Sequence, residues 1–145
     1  YNGELVTTVK CTDYQLNAGN TFLDYGTVRV CNDQFYLYVG VYADEGFSGT
    51  EAVKIWVGTS LALLPTPGGS GGRPIAGKFD YNSPFFGSTT YYWSIRIAFT
   101  DIKVVSTDPK PSCNAVTIYV YVHVDCAHGN TCWGGYSGGC ISSTK

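Results

Sequence analysis

The sequence predicts an all-β protein, and three observations carry that prediction. The chain of 145 residues holds 12 tyrosines, 18 glycines and no methionine, a composition weighted toward strands and tight turns. Several segments alternate apolar and polar residues with period two, the pattern of half-buried antiparallel strands. No stretch repeats its apolar residues at helical spacing. The length suits one domain with a substantial core.

The elements follow in chain order. "GELVTTVKC" at 3–11 reads as a strand, with Leu5, Thr7 and Val9 on one face and Val6, Thr8 and Lys10 on the other. A polar stretch, "TDYQLNAGN", follows Cys11. "GTVRVC" at 26–31 is a short strand, and Asn32 and Asp33 mark a turn. "FYLYVGVY" at 35–42 places Phe35, Leu37, Val39 and Val41 on one face, and Tyr36, Tyr38, Gly40 and Tyr42 on the other. "DEGFSG" at 44–49 reads as a loop. "AVKIWVG" at 52–58 turns Val53, Ile55 and Val57 inward, and Lys54 and Trp56 outward.

"TSLALLP" at 59–65 suits one short helical turn before Pro65, and residues 65–90 read as a long irregular loop. Phe79, Tyr81, Phe85 and Phe86 in that loop predict that part of it packs onto the domain. "YYWSIRIAFT" at 91–100 sets Trp93, Ile95, Ile97 and Phe99 on one face. "TIYVYVHV" at 117–124 sets Ile118, Val120, Val122 and Val124 against Tyr119, Tyr121 and His123. Many short strands without helices predict a two-layer antiparallel β-sandwich, immunoglobulin-like in the broad sense and lacking the marks of an antibody domain. The expected organisation is an N-terminal strand at 1–10 and a single domain at 11–145.

Six cysteines, Cys11, Cys31, Cys113, Cys126, Cys132 and Cys140, predict disulfides. A zinc site needs closer pairs than "CAHGNTC" provides. "CNAVTIYVYVHVDC" reads as one continuous strand whose ends stand about 43 Å apart. A disulfide needs Cα atoms within about 7 Å, so a Cys113–Cys126 bond is excluded. "WGGYSGG" between Cys132 and Cys140 reads as a flexible loop that would let those two close locally. In that case Cys113 and Cys126 each reach back to Cys11 or Cys31.

Charged residues make up 14% of the chain, the formal net charge is -2, and there is no basic run. That excludes the electrostatic footprint of a nucleic-acid binder. No apolar run approaches the roughly 18–20 residues of a membrane-spanning helix, so membrane insertion is not expected. The first residue is Tyr1, which a mature secreted chain explains; an arbitrary chain boundary explains it equally. With the cysteines, the expected location is extracellular or at the cell surface.

Catalysis has little support, and a hydrolase of unknown class is the weakest of the readings considered. No nucleophile-elbow motif occurs, and "PGGSGGRP" lacks the lysine and following helix of a phosphate loop. His123, Asp125 and His128 in "HVDCAH" hold ligand-type atoms, but a packing role is favoured over metal. Asp44 and Glu45 with Asp24 or Asp80 form no calcium-loop motif. The expectation is no cofactor and no enzymatic activity.

"AGNTFLDYGTVRVCNDQFYLYVGVY", "KIWVGTSLALLP" and "GRPIAGKFDYNSP" together span much of positions 18–124. This series resembles a family of secreted bacterial β-sandwich domains of poorly defined activity. The resemblance implies subunits of extracellular, pilus-like fibres, in which one subunit's N-terminal strand completes the next subunit's sandwich. It brings no catalytic residues, and the C-terminal cysteine cluster departs from its pattern. On that reading Tyr1–Lys10 is a donor strand, Leu5, Thr7 and Val9 fill the neighbour's pockets, and the partner is the chain itself in a helical homopolymer. The opposing expectation is that residues 1–10 pair within their own sheet. Tyr36, Tyr38, Tyr42, Tyr119 and Tyr121, with Trp56, form the candidate interface or ligand face. They serve subunit packing or, in a monomeric carbohydrate-binding or adhesin module, surface glycans. The bland alternative is that the 65–90 loop covers them.

Overall fold

The computed structural model describes residues 10–19, 23–65, 74–102 and 117–138. Eight strands form one curled antiparallel sheet. They are β1 (Lys10–Ala18), β2 (Asp24–Asn32), β3 (Tyr36–Gly49), β4 (Val53–Gly58), β5 (Tyr81–Asn82), β6 (Phe86–Ala98), β7 (Ile118–Asp125) and β8 (Thr131–Gly138). The order across the sheet is β5-β4-β7-β8-β1-β2-β3-β6. Among the described residues the only helical elements are short 3-10 turns, including Leu61–Leu63 at the site expected before Pro65.

Alternation explains the core. Val28 and Val30 on β2 lie opposite Val41 and Val39 on β3, which in turn face Trp93 and Ile95 on β6. On the other half, Val53, Ile55 and Val57 of β4 pair with Val124, Val122 and Val120 of β7. All of these aliphatic residues except the partly buried Ile95 are fully or almost fully buried, and both halves share one cluster. A single cluster drawn from both ends of an eight-stranded order requires the sheet to curl back on itself. An isolated bridge between Phe47 and Cys126 joins β3 to the residue after β7 and closes the curl at that end.

Three segments differ from the sequence expectation. The polar stretch after Cys11 is strand β1, because Thr12, Tyr14, Leu16 and Ala18 alternate toward the core and Leu16 is fully buried. The 44–49 segment is not a loop: β3 continues through it with register shifts, and these let Phe47 turn inward. "WGGYSGG" is mostly strand β8, paired with β7 from Thr131 to Gly138. Its glycines disguise it. A Cβ on Gly134 would stand 2.7 Å from the Val28 Cγ2, so β8 can cross β2 closely only without a side chain there.

The disulfides revise the pairing. Cys11 bonds Cys31 directly across the β1–β2 ladder, and Cys126 bonds Cys132 around a seven-residue turn. The expected local closure between Cys132 and Cys140 is therefore overturned, and Cys126 does not reach back to β1 or β2. The exclusion of a Cys113–Cys126 bond agrees with this pairing. Cys113 and Cys140 lie outside the described residues, as do Leu5, Val6, Thr7, Thr8 and Val9.

Candidate functional site

The five tyrosines do not form one surface. β3 and β7 are separated in the sheet by β8, β1 and β2, so Tyr36, Tyr38 and Tyr42 stand apart from Tyr119 and Tyr121. Trp56 is on neither surface as an exposed group: it is fully buried. Period two aims its side chain outward correctly, but the outer side of β4 is covered. Residues 81–82 pair with β4 as β5, and the Ser83 hydroxyl accepts a hydrogen bond from the Val53 amide. Phe79, from the same stretch, is buried, and neither Phe79 nor Trp56 belongs to the main core cluster. Part of this segment, around Phe79–Ser83, therefore packs onto β4 as Phe79 and Tyr81 predicted; Phe85 is exposed, and residues 86–90 begin strand β6.

The β7 face carries half-buried Tyr119, Tyr121 and His123. Tyr121 meets Trp56 edge-on at 6.2 Å, and His123 meets Trp133 edge-on at 4.7 Å. Burial holds the His123 imidazole below its ordinary pKa and Asp125, 4.0 Å away, opposes this only in part. His128 stands elsewhere, 3.4 Å from Glu45. The two histidines thus stand in separate surroundings, His123 half-buried against Trp133 and His128 largely exposed.

Asp24, Asp44 and Glu45 do converge, with Tyr25 and His128, around a cleft of about 370 Å³. Asp80 is not among its lining residues. Among the described residues no three ligand-type side chains approach closely enough to hold a metal ion.

The β2–β3–β6 face is the most organised surface. Tyr42 and Tyr92 lie directly opposite on β3 and β6, their rings 4.4 Å apart and 37% and 45% exposed. Arg29 reaches over Tyr42 at 5.6 Å and is held by two hydrogen bonds to Asp13, at 2.7 and 3.0 Å. Arg96, opposite Tyr38, stacks over Tyr36 at 4.3 Å. Sequence alternation placed Tyr36, Tyr38 and Tyr42 on one face. The partners Tyr92, Arg29 and Arg96 were missed, because only the β3–β6 and β2–β3 registers bring them alongside.

Asp33 organises the end of this face. Its carboxylate accepts hydrogen bonds from the Phe35 and Tyr36 amides, at 2.8 and 2.7 Å, and from the Tyr38 hydroxyl at 2.7 Å. Partial burial raises its pKa, but the bonds from Tyr38 and the backbone outweigh that and hold it below the ordinary value. Burial, then the Asp33 bond, pushes the Tyr38 hydroxyl up to about 12. The folded chain thus takes up the Asp33 proton at lower pH than the unfolded chain does. Its stabilisation is present above the ordinary carboxylate value of 3.8 and is lost as pH falls through the lower folded value. Asp33→Ala is expected to cost about 2 kcal/mol at neutral pH and to flatten the acid limb of stability measured by urea titration.

Comparison with protein-family models, curated proteins and solved structures finds no match. Among the described residues no helix is long and apolar enough to cross a membrane.

Proposed function

We propose that this chain is a secreted structural subunit of a pilus-like filament, in which residues 1–9 of one copy complete the sheet of the next; Lys10, expected to end the donor strand, instead begins β1 opposite Asn32 of its own chain. The observation supporting this is the contrast between the two ends of the sheet. One end, β5, is two residues long, the short edge by which natural proteins avoid pairing with neighbours. The other, β6, runs for 13 residues with no proline and no lysine, and among the described residues it pairs only with β3. Its inward side chains Trp93 and Ile95 are only partly covered, and Tyr91 and Tyr92 are exposed. Such an edge offers unpaired backbone groups and incompletely filled apolar positions to an added strand.

The Cys11–Cys31 bond supports the donor half of the proposal. It fixes the start of β1, so the segment before it leaves from a tethered point. Nine residues in extended form reach about 30 Å. The fold that accompanies this reading is a two-layer immunoglobulin-like sandwich, with β1-β2-β3-β6 facing β8-β7-β4-β5. Disulfides support an oxidising, extracellular setting. On this reading the chain is not an enzyme.

Negative-stain electron microscopy of the full chain and of a form lacking residues 1–9, both under oxidising conditions, tests this. Fibres from the full chain alone are expected, and a peptide of residues 1–9 should stabilise the shortened form. Monomeric behaviour of both forms overturns the filament.

A second reading, a monomeric carbohydrate-binding or adhesin module, is favoured by the exposed Tyr42–Tyr92 pair beside Arg96. Trp56, buried, takes no part in it.

A further inference from the structure

We infer that the outer face of β2, β3 and β6 binds a carboxylate-bearing polysaccharide, with Tyr42, Tyr92 and Tyr36 as stacking platforms and Arg96 as the anion contact. This deepens the glycan-binding reading and does not depend on polymerisation.

Shape comes first. The Tyr92 ring lies across Gly40, where a Cβ would stand 3.1 Å from the Tyr92 Cε1. The missing side chain lets the ring lie low over the sheet beside Tyr42, half exposed. Tyr38 and Arg96 form the row four residues further along β3, about 13 Å away, and Tyr36 stands about 20 Å from Tyr42. The face is therefore a strip with aromatic rings at both ends, long enough for several sugar rings laid along the strands. Tyrosine combines an apolar ring face for the C–H side of a sugar with a hydroxyl for its polar rim.

Charge then selects the sugar. Two arginines stand on this strip, and they differ. Arg29 is engaged by both Asp13 oxygens. Arg96 is exposed, and no carboxylate among the described residues pairs with it. Its described neighbours are the Tyr36 ring, at 4.3 Å, and Tyr38 opposite it in the ladder; neither carries a negative charge at neutral pH, so the guanidinium is placed without being neutralised. A guanidinium centred over a ring keeps edge N–H groups that a planar carboxylate can meet in a bidentate pair. The chain as a whole is acidic, at -2, so general attraction for polyanions is not expected, and any such binding must arise locally.

The test uses the full chain and three probes: polygalacturonate, its methyl ester, and dextran sulfate. Affinity electrophoresis or calorimetry should show binding to polygalacturonate, and loss by about tenfold or more on esterification or in Arg96→Gln. Tyr42→Ala should also weaken it, while Tyr119→Ala, on the β7 face, should leave it unchanged. Thermal melts of each variant establish that the fold persists, and Tyr36→Phe, which keeps the ring, should retain binding. Equal binding to the ester with Arg96→Gln unaffected overturns the carboxylate assignment and leaves a neutral-glycan reading. Dextran sulfate binding as tightly as polygalacturonate also overturns it, as a bulk charge effect. No binding to any probe overturns this proposal together with the glycan-binding reading, and leaves the filament untouched.

Discussion

Trp56→Ala is expected to cost about 4 kcal/mol of folding stability. Trp56 is the largest of the fully buried side chains, and total stability for a domain of this kind is roughly 5–15 kcal/mol. The indole packs edge-on to Tyr121 at 6.2 Å and folds back over Gly58, where a Cβ would stand 2.6 Å from its Cζ2. Removing it opens a cavity between β4 and the segment that covers it. Trp56→Phe should cost much less, because the indole N–H has no hydrogen-bond partner among the described residues and its loss leaves no acceptor there unpaired. Urea denaturation of both variants measures this. A cost below about 1 kcal/mol for the alanine variant would show that the covering segment collapses onto β4 without the indole.

Replacing Cys11 and Cys31 together with serine is expected to cost about 3 kcal/mol, from the conformational freedom the unfolded chain regains over a loop of this length. The cost should exceed that of removing Cys126 and Cys132, whose separation is only six residues against twenty. The Cys11–Cys31 bond also sits at an end of β1, where strands fray. Amide exchange at Thr12 and Tyr14 should accelerate in the double-serine variant, with little change on β4 and β7. Uniform acceleration through the sheet would instead show that β1 opens only with the whole fold.

These residues show what the sequence could and could not disclose. Alternation named most inward residues of β2, β3, β4, β6 and β7, because burying one face of a strand leaves a period-two record; it also placed Phe35 inward, although Phe35 precedes β3 and is 66% exposed, and it missed Phe47 in the stretch read as a loop. It gave the direction of Trp56 and not its exposure, since what covers an outward side chain comes from a segment distant in sequence. β8 left no alternating record, because Gly134 and Gly135 serve close backbone approach and a Cβ at either would collide with Val28 or the Val120 carbonyl. β1 was hidden by polarity: its outward residues Asp13 and Gln15 mask the inward Tyr14 and Leu16. The candidate face was half legible. Tyr36, Tyr38 and Tyr42 share a strand, but Arg29, Tyr92 and Arg96 join them only through ladder register.

The cross-strand bond between Cys11 and Cys31 also governs how the molecule bears load. Tension applied to residues ahead of Cys11 passes through the sulfur bridge into β2, so the twenty residue steps between the two cysteines never enter the stretched contour. At about 3.5 Å per step, nearly 70 Å of chain stays hidden from the pull while the bond is intact. A reductant would release that length in a single event, with β1, the connection after it and most of β2 paying out as slack.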